Sequence, residues 1–365
     1  ALALEGAGHD VRVVTTAEGP DTDGPLRVTR LVGVSGPFRR GRMTRIFRQA
    51  LSEAASGADV LHAQHSLSAL GALSLDGRPR TLVTVRDHWP VCFWSTRISQ
   101  GALCPACSPA SMSRCIEGRL PRISSPVAIA YMTRDLSAKR TALSRADAVI
   151  AVSEAIAREL REAAIPRVTV LPNIVDIAEV RRIADEPPGV ALPERFLLFV
   201  GKLETNKGVL DLIPALVRAR TSLPLVVLGH GGAEAALRRD AEAKGVSLIL
   251  PGWTERADVL RAMRRAEALV FPSTWPEPLS RVLLEALALG VPIAAMATGG
   301  TAELIEDGRS GLLATDADSL GDAVARIVHD APVRSSLQAG ASARAAHFSP
   351  EALTPRYEAL YRGGR

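Results

Sequence analysis

No apolar run in these 365 residues approaches the roughly 18 that a membrane-crossing helix needs, and the longest, such as Phe196 to Val200 and Ile293 to Ala297, suit buried strands. A bilayer span is therefore not expected. The opening ALALEGAGHDVRVVTT has neither a basic leader nor a signal-peptide core and reads as the tail of a helix, a glycine turn and a strand, so a missing upstream segment is expected. Zinc-finger, RNP-type and Arg-repeat patterns are absent, which argues against nucleic acid as a partner. No Ser/His/Asp or Cys/His arrangement points to a nucleophilic side chain. Lysine is scarce, with four residues (139, 202, 207 and 244) against 40 Arg, so each one draws attention.

What is present is an ordinary globular composition: 47% hydrophobic and 23% charged residues, 29 Gly and 24 Pro, which excludes collagen, coiled coil and extensive disorder. The length exceeds what one hydrophobic core supports, so two domains are expected. The net charge of +5 is unevenly placed, with 24 basic against 18 acidic residues in 1–185 and 20 against 21 in 186–365. Seven Arg (27, 30, 39, 40, 42, 45 and 48) fall between Asp23 and Glu53 with no acid among them, and the later ones share a helical pattern with Met43, Ile46, Phe47 and Leu51. This basic amphipathic helix is either a solvated face or a surface for an anionic membrane or a lipid phosphate.

Apolar, β-rich runs alternate with helical patterns, the mark of parallel sheets covered by helices. Strands are expected at 11–16, 59–63, 81–86, 148–152 and 168–171 in the first half, and at 196–200, 225–228, 247–250, 268–271, 292–295 and 311–313 in the second. Pro and Gly cluster without periodicity in Ala184–Pro193, which reads as a linker. The resulting expectation is an α/β chain of two doubly wound, Rossmann-like domains facing across a cleft. These are residues 1–185, lacking a first strand and Gly-rich loop, and 186–347. A terminal helix in 348–365, carrying Tyr357 and Tyr361, would pack back on the first domain. Open parallel sheets bind ligands at the C-terminal ends of their strands, so the loops there should carry the chemistry.

Two features stand out in those loops. Glu285 is the only charged residue between Arg281 and Glu303, and a carboxylate in such apolar company either lies on an exposed helix stripe or needs a partner. Glu277 precedes Pro278 eight positions earlier, which suits the entrance of the same helix, where free N–H groups and the positive dipole end favour a phosphate. The second feature is GKLETNKG at 201–208, which puts two of the four Lys in one strand-to-helix loop, as a diphosphate clamp would require. Further Gly turns follow successive strands: GHGG at 229–232, PGW at 251–253 and TGG at 298–300.

Together VGKLETNKG, LGHGG, LPGW and PSTWPEPLSRVLLEALALGVPIAAMATGGTAELIEDGRSGLL resemble the donor-binding half of a glycosyltransferase family 4 enzyme of GT-B architecture. The first half resembles that family more loosely through GHDVRVVTT, DVLHAQHS, ADAVIAVSEAIAREL and VLPNIVD. The resemblance implies a retaining transferase that takes a sugar from a nucleotide diphosphate sugar and needs no catalytic cofactor or metal. It assigns Glu277 to the donor sugar hydroxyls and Lys202 and Lys207 to the leaving diphosphate. Glu285 would take the ribose hydroxyls, and the amides of Leu279, Ser280, Arg281 and Val282 the phosphate or sugar. Gly201, Gly229, Gly231 and Trp253 would complete the donor site. Lys202 stands where Arg is more usual, and Pro278 and Ser280 where Gly is common. On the acceptor side, TVRDHWPVC places Arg86 where relatives often have His, with His88 two residues later. The acceptor itself stays open, a lipid-linked one at the inner face of a membrane included, as do the nucleotide base and the sugar. The chain would otherwise be cytoplasmic. A sugar-nucleotide epimerase and a noncatalytic sugar-nucleotide-binding protein are the rival readings.

All four Cys (92, 104, 107 and 115) fall within 24 residues, and CPAC is a CxxC pair. Four thiolates would satisfy a closed, structural zinc; disulfides and reduced thiols are the alternatives. His62 and His65 in LHAQHS read as packed or hydrogen-bonded residues at a strand end.

Overall fold

The computed structural model describes residues 1–16, 26–31, 40–119 and 125–364. Two compact units share the chain. The first takes in residues 1–100, 104–171 and 353 onward, and the second takes in 172–352 together with 101–103.

In the first unit a four-stranded parallel sheet runs in the order Val60–Ala63, Arg80–Val85, Ala148–Ala151, Val168–Val170. Residues Thr81 to Val85 are fully buried, as expected of a parallel strand covered on both faces. A separate parallel pair joins Arg12–Thr15 to Arg27–Arg30. Sequence reasoning missed the second member, because RVTR alternates Arg with β-branched residues and so lacks an apolar run. The basic helix Arg40–Ala54 turns Phe47 and Leu51 into a small core with Ala72 and Leu75, while Arg42, Arg45 and Arg48 stay exposed. Phe47 and Leu51 of its apolar stripe are thus spent on internal packing. Arg39 lies outside the described residues.

The second unit is a six-stranded, all-parallel sheet in the order Leu248–Gly252, Leu225–Leu228, Leu197–Val200, Ala268–Phe271, Ile293–Met296, Leu312–Ala314. Strand order reverses beside Leu197–Val200: the chain winds outward through 225–228 and 248–252, then returns to the other side of 197–200 at 268–271. Such a switch point leaves a crevice at the C-terminal strand ends. One face of the sheet carries a continuous core that includes Leu197, Phe199, Leu212, Leu216, Val227, Val270, Leu320 and Ile327.

The division between the units differs from the expected 185/186 and falls between Leu171 and Pro172. The helix Ile177–Ala184 buries Val180 and Ala184, and Arg181 Nε donates to the Ala288 carbonyl at 2.9 Å. That packing ties the helix to the second unit, so the Pro- and Gly-rich stretch after it lies within that unit. The last helix, Pro350–Tyr361, carries the chain back, burying Leu353, Tyr357 and Leu360 with Leu82, Ala148, Ile150 and Leu171 of the first sheet.

Candidate active site at the switch point

The two loops that flank the switch point follow the strands 197–200 and 268–271, and backbone geometry locks them together. Gly208 adopts φ +66, and a Cβ there would lie 1.8 Å from the Pro272 carbonyl oxygen, so only glycine lets the loops approach. The Asn206 carbonyl accepts the Trp275 amide at 3.0 Å. On the neighbouring strand, Gly229 has no room for a Cβ, which would meet the Gly201 carbonyl oxygen at 2.0 Å. A Cβ on Gly231 would press on the Leu203 backbone in the same way. Leu203 donates to the His230 carbonyl and accepts from Ala233, so the GKLETNKG and GHGG loops run backbone to backbone. From the far side the TGG turn supports Glu277, with Gly300 N–H donating to its carbonyl at 2.6 Å.

Within this frame Lys207 Nζ donates to Glu277 Oε1 at 2.5 Å, and Ser273 Oγ donates to the same oxygen at 2.8 Å. Glu277 is only 5% exposed. The Lys207 ammonium also stands 4.3 Å from the centroid of the Trp275 ring. Lys202, by contrast, is exposed on the same loop and does not join this cluster.

The helix Arg281–Leu289 opens with Ser280, whose Oγ accepts from the Leu283 amide, and closes at Gly290 with φ +68. Leu279 and Ser280 are buried, Val282 is half-buried and Arg281 is exposed. Glu285 is buried among Leu283 to Leu289 instead of lying on an exposed stripe. Its carboxylate is held by Arg256 Nε at 2.8 Å, and Arg256 also faces Glu179 at 3.7 Å. Sequence reasoning required a partner for Glu285 and could not say which of 40 Arg supplies it. Trp253 is 68% exposed at the end of the strand 248–252. Ser273 and Trp275 went unnoticed; their signal was PSTW between a strand end and Glu277.

In the first unit, Arg86 donates to Gln64 Oε1 through Nε at 3.0 Å and Nη2 at 2.6 Å. Gln64 in turn donates to His62 Nε2 at 2.9 Å, where Thr84 Oγ1 also lies at 2.7 Å. Nε2 therefore accepts, and Nδ1–H is left to meet Tyr361 Oη at 2.8 Å. Burial, then the Arg86 charge, push His62 down to about 3. His65 caps the helix Ser66–Leu73. His88 is buried, its Nδ1 2.8 Å from Glu159 Oε2, while the other Glu159 oxygen pairs with Arg97. Burial alone would raise the Glu159 carboxyl, but the His88 and Arg97 interactions outweigh it and hold it below the usual range. Asp87 accepts the Trp89 amide at 2.8 Å.

Arg97, at φ +53, also donates to the Cys104 and Pro105 carbonyls and so organises the Cys loop. The four Cys are free thiols. Cys92 and Cys107 hydrogen-bond to each other, Cys104 Sγ donates to the Ala106 carbonyl, and Cys115 is buried on the helix Pro109–Arg119. Among the described residues no three His, Cys, Asp or Glu side chains are placed to hold a metal ion. The thiols of Cys92, Cys104, Cys107 and Cys115 are thus not gathered here into the four-thiolate set that a structural zinc would take. Among the described residues no helix is long and apolar enough to cross a membrane.

A doubly wound sheet with acid, ammonium and Gly turns gathered at its switch point defines a ligand-binding α/β unit, and comparison with known proteins names its class. The family model for glycosyl transferases group 1 matches residues 180–344, and that for Glycosyltransferase Family 4 matches residues 1–179. With 1–344 covered between them, the chain belongs to the family 4 glycosyltransferases. A glycogen synthase of Mycobacterium tuberculosis is 33% identical over 221 residues, 58% of this chain and 52% of that protein. A phosphatidyl-myo-inositol mannosyltransferase of Mycolicibacterium smegmatis is 30% identical over 220 residues, 58% of this chain and 56% of that protein. The chain spans about half the length of these curated relatives. The sucrose-phosphate synthase of Thermosynechococcus elongatus superposes with TM-score 0.70 at 22% identity, over 99% of this chain and 90% of that one. Anabaena HepE in complex with UDP superposes with TM-score 0.66 at 20% identity, over 93% and 86%. These likenesses establish the GT-B fold, with two Rossmann-like domains.

Proposed function

We propose that the chain is a retaining glycosyltransferase that moves a sugar from a nucleotide diphosphate sugar to an acceptor hydroxyl. The observation that carries this reading is the Lys207–Glu277 pair, a buried carboxylate and an ammonium at the switch point of the second sheet. In the proposed reaction the bond from the anomeric carbon to the diphosphate oxygen breaks, and a bond to the acceptor oxygen forms on the same face. The acceptor proton passes to an oxygen of the departing diphosphate. Lys207, and Lys202 when it folds over the ligand, neutralise the charge that grows on that group, and Glu277 grips the sugar hydroxyls. This is electrostatic preorganisation without a covalent intermediate on the protein. Glu285 takes the ribose hydroxyls, with Arg256 orienting its carboxylate. The amides at 279–282 start a helix whose dipole favours a phosphate. The HepE structure is a complex with UDP, which supports a nucleotide as the ligand here. Arg86 and His88 are proposed to serve the acceptor side.

A thermal-shift screen across UDP-, GDP- and ADP-sugars identifies the donor, since a ligand at 100 times its Kd raises stability by about 2.7 kcal/mol. Product analysis then separates a transferred sugar from an epimerised or unchanged donor. Glu277→Gln should mainly lower turnover and Glu285→Gln mainly weaken donor binding, each by about 1.5 to 3 kcal/mol for a lost charged hydrogen bond. Negligible effects of both would refute the assignment.

A further inference from the structure

Lys207 has two neighbours of different kinds, and only one of them can stay when a donor binds. Glu277 Oε1 holds its ammonium at 2.5 Å, but the same oxygen also accepts from Ser273 Oγ, and the donor-site reading gives that carboxylate to the sugar hydroxyls. A sugar entering there competes for the lone pairs that Lys207 uses. The other neighbour is the face of Trp275, 4.3 Å from Nζ to the ring centroid, within the range in which an indole attracts a cation. Trp275 is itself fixed: its amide donates to the Asn206 carbonyl, one residue before Lys207, and Thr274 Oγ1 points to that carbonyl at 3.4 Å. The backbones that carry the indole and the lysine are therefore tied to the same peptide unit, which keeps ring and ammonium within reach of each other when the ion pair loosens. A flexible lysine stem would otherwise lose its place at that moment.

We propose that Trp275 is a positioning residue that holds Lys207 by a cation–π contact while Glu277 is handed over to the donor sugar. This rests on the donor-site reading of Lys207 and Glu277. The indole supplies a partner that offers no competing lone pair, so Lys207 remains extended and available to the diphosphate. An aliphatic side chain of similar bulk would fill the space without the attraction.

The test is a double-mutant cycle read by calorimetric titration with UDP-glucose, GDP-mannose and ADP-glucose, whose sugars draw Glu277 off Lys207, and the tightest of them is carried through the series at low ionic strength. Trp275→Leu should weaken its binding about fivefold, with Trp275→Phe falling between Leu and wild type, because the attraction follows the ring quadrupole. In a Lys207→Met background the same Trp275→Leu change should alter affinity by less than about twofold, the scatter expected of uncoupled sites. A loss in the Met background equal to that in wild type would show that Trp275 acts through packing and would overturn the proposal, as would equal affinities for the Trp, Phe and Leu forms. If Trp275→Leu does not fold, the Trp275→Phe arm of the cycle decides by the same comparison. Lys207→Met binding as tightly as wild type would instead refute the donor-site reading itself, an outcome distinct from failure of the cycle.

Discussion

Lowering the pH from 7 to 5 should cost the first unit about 2 kcal/mol through His62 alone. The ring is enclosed by Tyr361, Thr84 and Gln64, all neutral, and among the described residues no carboxylate is one of its hydrogen-bond partners. Its ordinary value of 6.5 is pushed to about 3 by burial first and by Arg86 next. A depressed histidine is neutral in the folded chain while the unfolded chain takes up a proton below 6.5. Stability attributable to this group is therefore intact above that value and falls as pH drops toward 3, by about 1.4 kcal/mol per pH unit. Hydrogen exchange of the strand Arg80–Val85 during urea unfolding reports this unit without interference from the other. His62→Gln keeps a donor and an acceptor but cannot charge, so its stability should vary less between pH 7 and 5 by about one proton's worth of slope. Parallel pH profiles for wild type and His62→Gln would refute the reasoning, because the acid sensitivity would then belong to other groups.

Gly208→Ala should destabilise the second unit by about 2 to 4 kcal/mol, since both its positive φ and the Pro272 carbonyl oppose a Cβ; an unchanged thermal midpoint would contradict this. Glu159→Gln should cost about 2 kcal/mol at neutral pH by breaking charged hydrogen bonds to His88 and Arg97. Because the Glu159 carboxyl is held below its ordinary value, that advantage is present at neutral pH and fades as pH falls through the depressed value, which paired urea titrations of wild type and variant at pH 7 and 3.5 would check. Tyr361→Phe should remove one neutral hydrogen bond from His62, worth about 1 kcal/mol in the same hydrogen-exchange assay.

Much of the second unit was legible in the sequence because a parallel strand buried on both faces is an uninterrupted apolar run, as in Leu225–Leu228 and Ala268–Phe271. Burial of Glu285 was legible for the converse reason, a lone charge in an apolar helix. Pairings between distant segments were not: nothing local links Arg256 to Glu285, or Trp275 to Lys207, since loop closure alone brings them together. The division between units was less legible, because Pro and Gly mark where a chain turns, whereas the division depends on which core takes the helix Ile177–Ala184. The arginine-rich helix left its partner open in another way. Its amphipathic pattern is the same whether the apolar stripe meets a lipid surface or, as here, Ala72 and Leu75.

The return of the chain at Leu353 sets an order of assembly on the ribosome. Between Leu171 and Leu353 the second unit occupies 181 residues (172–352), so at 5 to 20 residues per second roughly 10 to 35 seconds separate the fourth strand of the first sheet from the helix that seals it. Throughout that interval Leu82, Ile150 and Leu171 lack Leu353, Tyr357 and Leu360, and His62 lacks the hydroxyl of Tyr361. Of the two units, the one begun first is thus the one completed last. A nascent chain stalled inside the second unit would present an open apolar face, and a chaperone would find its substrate there.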